Sequence, residues 1–218
     1  MAREGFTPQH RAIGRAAAWA VFVLSVVYAV TTLLGFLSLE SSDDPIGDPY
    51  FTLMELLIII IMPPMVVSMV VVHAYAAPEA KAYSLTALAL MILLAGLTSG
   101  LHFVILTVGD ALAATGAAWV PLATSFEWPS VVYALDILAW DWFFALSMLA
   151  AAPVFNAGRL ETRLRALMIV SGILSFAGLI GVPLGDMQYR NIGIVGYAVV
   201  APVVFLLLGM VFGRTRAT

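Results

Sequence analysis

Five side chains that can carry charge or move a proton interrupt the long apolar runs of this chain: Glu55, His73, His102, Asp136 and Asp141. A charge in hydrocarbon costs about 2.5–3.5 kcal/mol on insertion scales, so such residues turn inward and pair. Carboxylates beside an imidazole can bind a cation, hold a proton, or act as a general acid and base. A His with two or three carboxylates also suits a divalent ion. No HExxH or paired-His spacing is present, however, so neither a metal site nor a cofactor is predicted.

The elements that position these groups must be membrane helices. Of 218 residues, 62% are hydrophobic and 11% charged, against about 45–50% and 25% in soluble domains. Six apolar stretches reach the ~20 residues a helix needs to cross a bilayer. They are placed at roughly 14–38, 52–76, 82–109, 130–154, 163–184 and 191–213, as one all-α domain covering 1–218. Thr7-Pro8 reads as an N-cap with proline at the first helical position, so the first helix starts near Gln9, ahead of the membrane. The first apolar run is too long for a signal-peptide core and reads as a span.

Charge sorting supports the count of six. Arg3, Arg11, Arg15, Lys81, Arg159, Arg163, Arg165, Arg214 and Arg216 then share one side, and only Arg190 lies on the other. The positive-inside rule makes the shared side, with both termini, cytoplasmic, and the setting a cell membrane. The outer connections are acidic, with Glu40, Asp43, Asp44, Asp48, Asp110, Glu127 and Asp186. Outer loop 110–129 is apolar but too short to span. It reads either as an interfacial or re-entrant segment, with Trp119 and Trp128 at headgroup level, or as a loop folded over the helix ends.

Other features bound the function. The absence of cysteine excludes thiolate catalysis and cysteine-held metals. No basic patch suits nucleic acid. The only lysine, Lys81, lies in a loop, which excludes a retinal protein of the usual kind. Gly96 and Gly100 in the third span, and Gly172, Ser175, Gly178 and Gly181 in the fifth, read as close helix packing and offer faces for a homo-oligomer. Pro63-Pro64 should kink the second span, and Pro202 the sixth more mildly.

At 1.5 Å per residue, Glu55, His102, Asp136 and Asp141 fall in the outer half, and His73 near the inner end. Asp136 and Asp141 are separated by about 140° on a regular helix. That spacing gives them different tasks: Asp136 faces an outer cavity, and Asp141 ties the fourth span to a neighbour. The expected site is an outward-facing acidic pocket of Glu55, His102 and Asp136, joined by Asp141. Arg190 supplies the counter-charge, and Tyr133, Trp140 and Trp142 form an aromatic wall. Three function classes follow: a protein binding or transporting a small polar or cationic ligand, a membrane enzyme using carboxylate–histidine chemistry on a lipid or isoprenoid-like substrate, and a non-catalytic scaffold. Polar residues thin out beyond Asp141, which counts against a continuous transport path.

Overall fold

A computed structural model describes residues 5–41 and 44–215. Arg3, Asp43 and Arg216, three of the charges sorted above, lie outside the described residues. The described residues are helical and contain no strand. Six helices are long and apolar enough to cross a membrane: α1 Pro8–Leu37, α2 Tyr50–Tyr75, α3 Pro78–Ala113, α5 Val131–Val154, α6 Gly158–Leu184 and α7 Met187–Arg214. Between α3 and α5 lies a short helix, α4 Val120–Thr124.

The helix starts follow local chemistry. Thr7 caps α1 by accepting from the His10 amide at 3.2 Å, and the His10 ring accepts from the Thr7 amide in return. Asp48 takes the amide and hydroxyl of Thr52 at the head of α2. Ser130 caps α5 through the Tyr133 amide at 3.1 Å. At the head of α7, Gly185 adopts φ +64°, a left-handed conformation that glycine tolerates, and Asp186 caps Gln188. These caps fix where Asp136 and Arg190 begin their turns.

Consecutive spans are neighbours, and α7 returns to pack on both α1 and α6, closing a ring of six. Arg11, Arg15, Lys81, Arg159, Arg163, Arg165 and Arg214 gather at one end of the ring, the basic end, while Arg190 lies at the opposite, acidic end. The core toward the basic end is apolar. Phe6, Tyr75, Phe155 and Phe212 stack there, and Met62, Met65, Met69, Met91, Met148 and Met168 are fully buried. Outward faces such as Val23, Val30, Leu33 and Phe36 of α1 are exposed apolar surface, as a lipid-facing helix requires.

Two departures from regular α-helix matter for the site. Leu138–Phe144 in α5 and Val195–Val200 in α7 are wound as π-helix. A π-turn bonds residue i to i+5 and so brings residues five apart toward one face. The second π-turn lies just before Pro202, which donates no amide hydrogen, and the Ser171 hydroxyl donates to the Gly196 carbonyl at 2.8 Å. In α2 the helix runs on through Pro63 and Pro64, with Ser68 donating to the Pro64 carbonyl at 2.7 Å.

The glycine expectations divide. In α6, Gly172 packs against Leu149 and Ala145, and Gly178 against Asp141 and Gly193. Gly96 and Gly100 are exposed, and a Cβ on either would meet nothing within 4 Å. The expected packing of that pair within the chain is therefore corrected: the spacing lies on the outer face of α3. The 110–129 connection ends α3 at Ala113 and holds α4. It packs on α3 and α5 with Val120 buried, and leaves Trp119 and Leu122 exposed.

Candidate functional site

The first three turns of α5, the first two of α2 and α7 and the outer part of α3 supply one connected set of charges. His102 Nδ1 bonds Glu55 Oε2 at 2.8 Å. The other ring nitrogen, Nε2, lies 3.9 Å from Asp136 Oδ1. Asp136 Oδ2 accepts from Arg190 Nη2 at 2.5 Å. Arg190 Nε then donates to Asp141 Oδ2 at 3.3 Å. Four of the six spans are thus joined by one chain of ionisable groups. Glu55, His102, Asp141 and Arg190 are all buried, and only Asp136 retains partial exposure. The aromatic residues fill in around them. The Arg190 guanidinium sits over the Tyr133 ring at 4.4 Å. Phe126, from the loop after α4, stacks on His102 at 5.3 Å.

The convergence of Glu55, His102 and Asp136 expected from depth is present, and Arg190 does supply the counter-charge. Three expectations are corrected. First, Asp136 and Asp141 are not given separate partners: both bond Arg190. The 140° separation assumed a regular helix, and the π-turn beginning at Leu138 removes that premise. Asp141 does tie α5 to a neighbour, as expected, but through the same arginine. Second, Trp142 is no wall of the site. It is exposed and packs on Phe176, while Trp140 turns inward against Tyr197 and Phe144. Third, the charges pack against one another. Two cavities lie elsewhere, one beside Tyr75 and Glu161 and one in the loop between α1 and α2.

His73 stays apart. Its ring meets the Ser84 hydroxyl at 2.9 Å near the basic end, where it joins α2 to α3. Among the described residues no three His, Asp or Glu side chains are arranged to hold a metal ion.

Several participants escaped sequence reasoning. Tyr28 of α1 lies within electrostatic range of Glu55 and Asp136, and Tyr197 within range of Arg190 and both aspartates. A tyrosine in mid-span carries a hydroxyl into the membrane, and that signal was readable. The niche around Asp141 was not. Its Oδ1 has no hydrogen-bond partner and is pressed against Gly178 and Gly193, where any Cβ would collide with it. The Ser175 hydroxyl, beside Gly196, is also without a partner.

The chemistry follows from a count. Three carboxylates share one guanidinium and one imidazole. With Glu55 ionised, it accepts from a proton on His102 Nδ1, and Nε2 is left facing Asp136 Oδ1 with no hydrogen-bond partner. An unprotonated Nε2 and a carboxylate oxygen are both acceptors, so they repel unless a proton or another cation lies between them. The cluster can therefore gain or lose positive charge with little rearrangement. The chain matches no protein-family model, no curated protein and no solved structure.

Proposed function

We propose that this multi-pass membrane protein binds a small cation at the Glu55–His102–Asp136–Arg190–Asp141 cluster, reached from the acidic end, which the positive-inside rule assigns to the outside of a cell membrane. The observation that carries this reading is His102 Nε2, buried without a hydrogen-bond partner and held 3.9 Å from Asp136 Oδ1. A proton is the species that needs no cavity, so it heads the candidates, followed by a compact ammonium group. Even with His102 charged, three carboxylates against two cations leave one negative charge in excess. The apolar, methionine-rich core toward the basic end favours binding and response over passage through the bundle. Glu55 and Asp141 stand at the two ends of the relay, and Tyr133 and Phe126 exclude water from its sides.

A second reading is favoured by one observation. Arg190 bonds Asp136 and Asp141 together, which would clamp α5 to α7 without any ligand. Thermal unfolding of the purified protein separates the two, scanned over pH and with sodium or ethanolamine added, for the wild type and Asp136→Asn. A cation that binds only the folded state raises the melting temperature by mass action. Cation binding predicts a pH- or cation-dependent rise in the wild type that Asp136→Asn lacks. Equal responses in both proteins would leave the clamp alone.

A further inference from the structure

At the basic end, a cavity of about 200 Å³ opens between the end of α2, the start of α6 and the end of α7, lined by Tyr75, Gly158, Arg159, Glu161, Arg214 and Thr215 among others. It is smaller than the roughly 300–1,000 Å³ of sites that enclose a whole ligand, so it suits one compact group of a larger molecule. Its chemistry is cationic. Arg159 and Arg214 are exposed at its rim. The first turn of the 20-residue helix Gly158–Ala177 has no side-chain cap and contributes Gly158 to Glu161 to the wall, and such a turn favours an anion. Among the described residues the one carboxylate lining it, Glu161, is already engaged: Oε1 accepts from the Tyr75 hydroxyl at 2.7 Å, and Oε2 from the amides of Asn156 and Ala157 at 3.0 Å. Gly158, at φ +77°, has open space where a side chain would stand.

Depth indicates what kind of anion reaches this place. On the adjoining α1, the Arg15 guanidinium lies over the Trp19 ring at 4.4 Å, Trp19 packs against Gly209 of α7, and Arg15 reaches Gly213, next to Arg214. A partly exposed tryptophan beside arginine marks the headgroup level of a bilayer. We infer that this cavity holds the phosphate of an anionic lipid headgroup between Arg159, Arg214 and the first turn of α6. Basic pockets between spans bind anionic headgroups in this way.

The test is binding of dioctanoyl phosphatidylglycerol to the detergent-purified full chain, followed by native mass spectrometry. Dioctanoyl phosphatidylcholine and inorganic phosphate are run in parallel. The proposal expects the phosphatidylglycerol to bind more tightly than either. Affinity should then weaken about fivefold for each arginine removed in Arg159→Gln and Arg214→Gln, and stay unchanged in Arg163→Gln, which alters a basic residue outside the cavity lining. The lipid comparison on wild-type protein needs no variant to fold. Equal binding of the two lipids, equal binding of inorganic phosphate, or a double variant that binds like wild type would each overturn the assignment.

Discussion

The two ends of the bundle both bury polar groups, and they do so differently. At the basic end, partners are matched: Tyr75 with Glu161, Glu161 with two amides, His73 with Ser84. At the acidic end, three carboxylates compete for one arginine and one histidine, and His102 Nε2 and Asp141 Oδ1 have no hydrogen-bond partner. Matched groups join helices and ask for nothing more. An unbalanced set is costly to bury and gains from any cation that completes it. This difference is the reason the proposed cation site is assigned to the acidic end.

The sharpest way to break that contrast is Arg190→Gln. It strands the buried Asp141 and the partly exposed Asp136, and removing one partner of a buried pair costs about 3–5 kcal/mol. Chemical denaturation in detergent should show the loss, and a loss below that of Glu161→Gln would invert the comparison. Next is Gly193→Ala. Its Cβ would collide with Asp141 Oδ1 and approach the Ser175 carbonyl to 3.2 Å, an overpacking worth about 1–3 kcal/mol. The paired control is Gly96→Ala, where nothing lies within reach, so helix propensity should leave it neutral or stabilised by up to about 1 kcal/mol. Thermal melts of the two alanine variants that coincide would remove the tight niche around Asp141.

Glu161→Gln tests the matched end. It weakens hydrogen bonds to Tyr75 and the α5–α6 connection by about 1–2 kcal/mol in total, and the cation response of the melting temperature should survive. The smallest effect concerns Asp48, in the loop before α2. The Thr52 hydroxyl and then the Thr52 amide hold its carboxyl below the ordinary carboxylate range. A depressed folded-state value contributes stability above the unfolded value of about 3.9, and that stability disappears as pH falls through the folded value. Asp48→Asn should flatten this acid limb of the stability profile while leaving the cation response intact.

Much of the fold was legible because a bilayer leaves helices few alternatives. Hydropathy located all six spans, and Thr7-Pro8 marked the start of the first. Depth counting was enough to bring Glu55, His102 and Asp136 to one level. What stayed hidden were relations that depend on how helices are wound and faced. The π-turn at Leu138–Phe144 carries no clear signal in "LAWDWFF", yet it decides that Asp136 and Asp141 share Arg190. Gly96 and Gly100 have the spacing of a packing motif, but spacing does not say which way a helix face turns. Phe126 reaches His102 from a loop whose apolar composition suggested the membrane surface.

The central claim is that the carboxylates of the acidic end change state when a cation arrives. Infrared difference spectroscopy reads that change directly, as the carboxyl and carboxylate bands of the folded protein between two pH values or with and without added cation. The account predicts difference bands in the wild type that are lost from Asp136→Asn and altered in Asp141→Asn, but kept in Glu161→Gln. A wild-type spectrum without such bands, or bands that persist unchanged in Asp136→Asn, would contradict it.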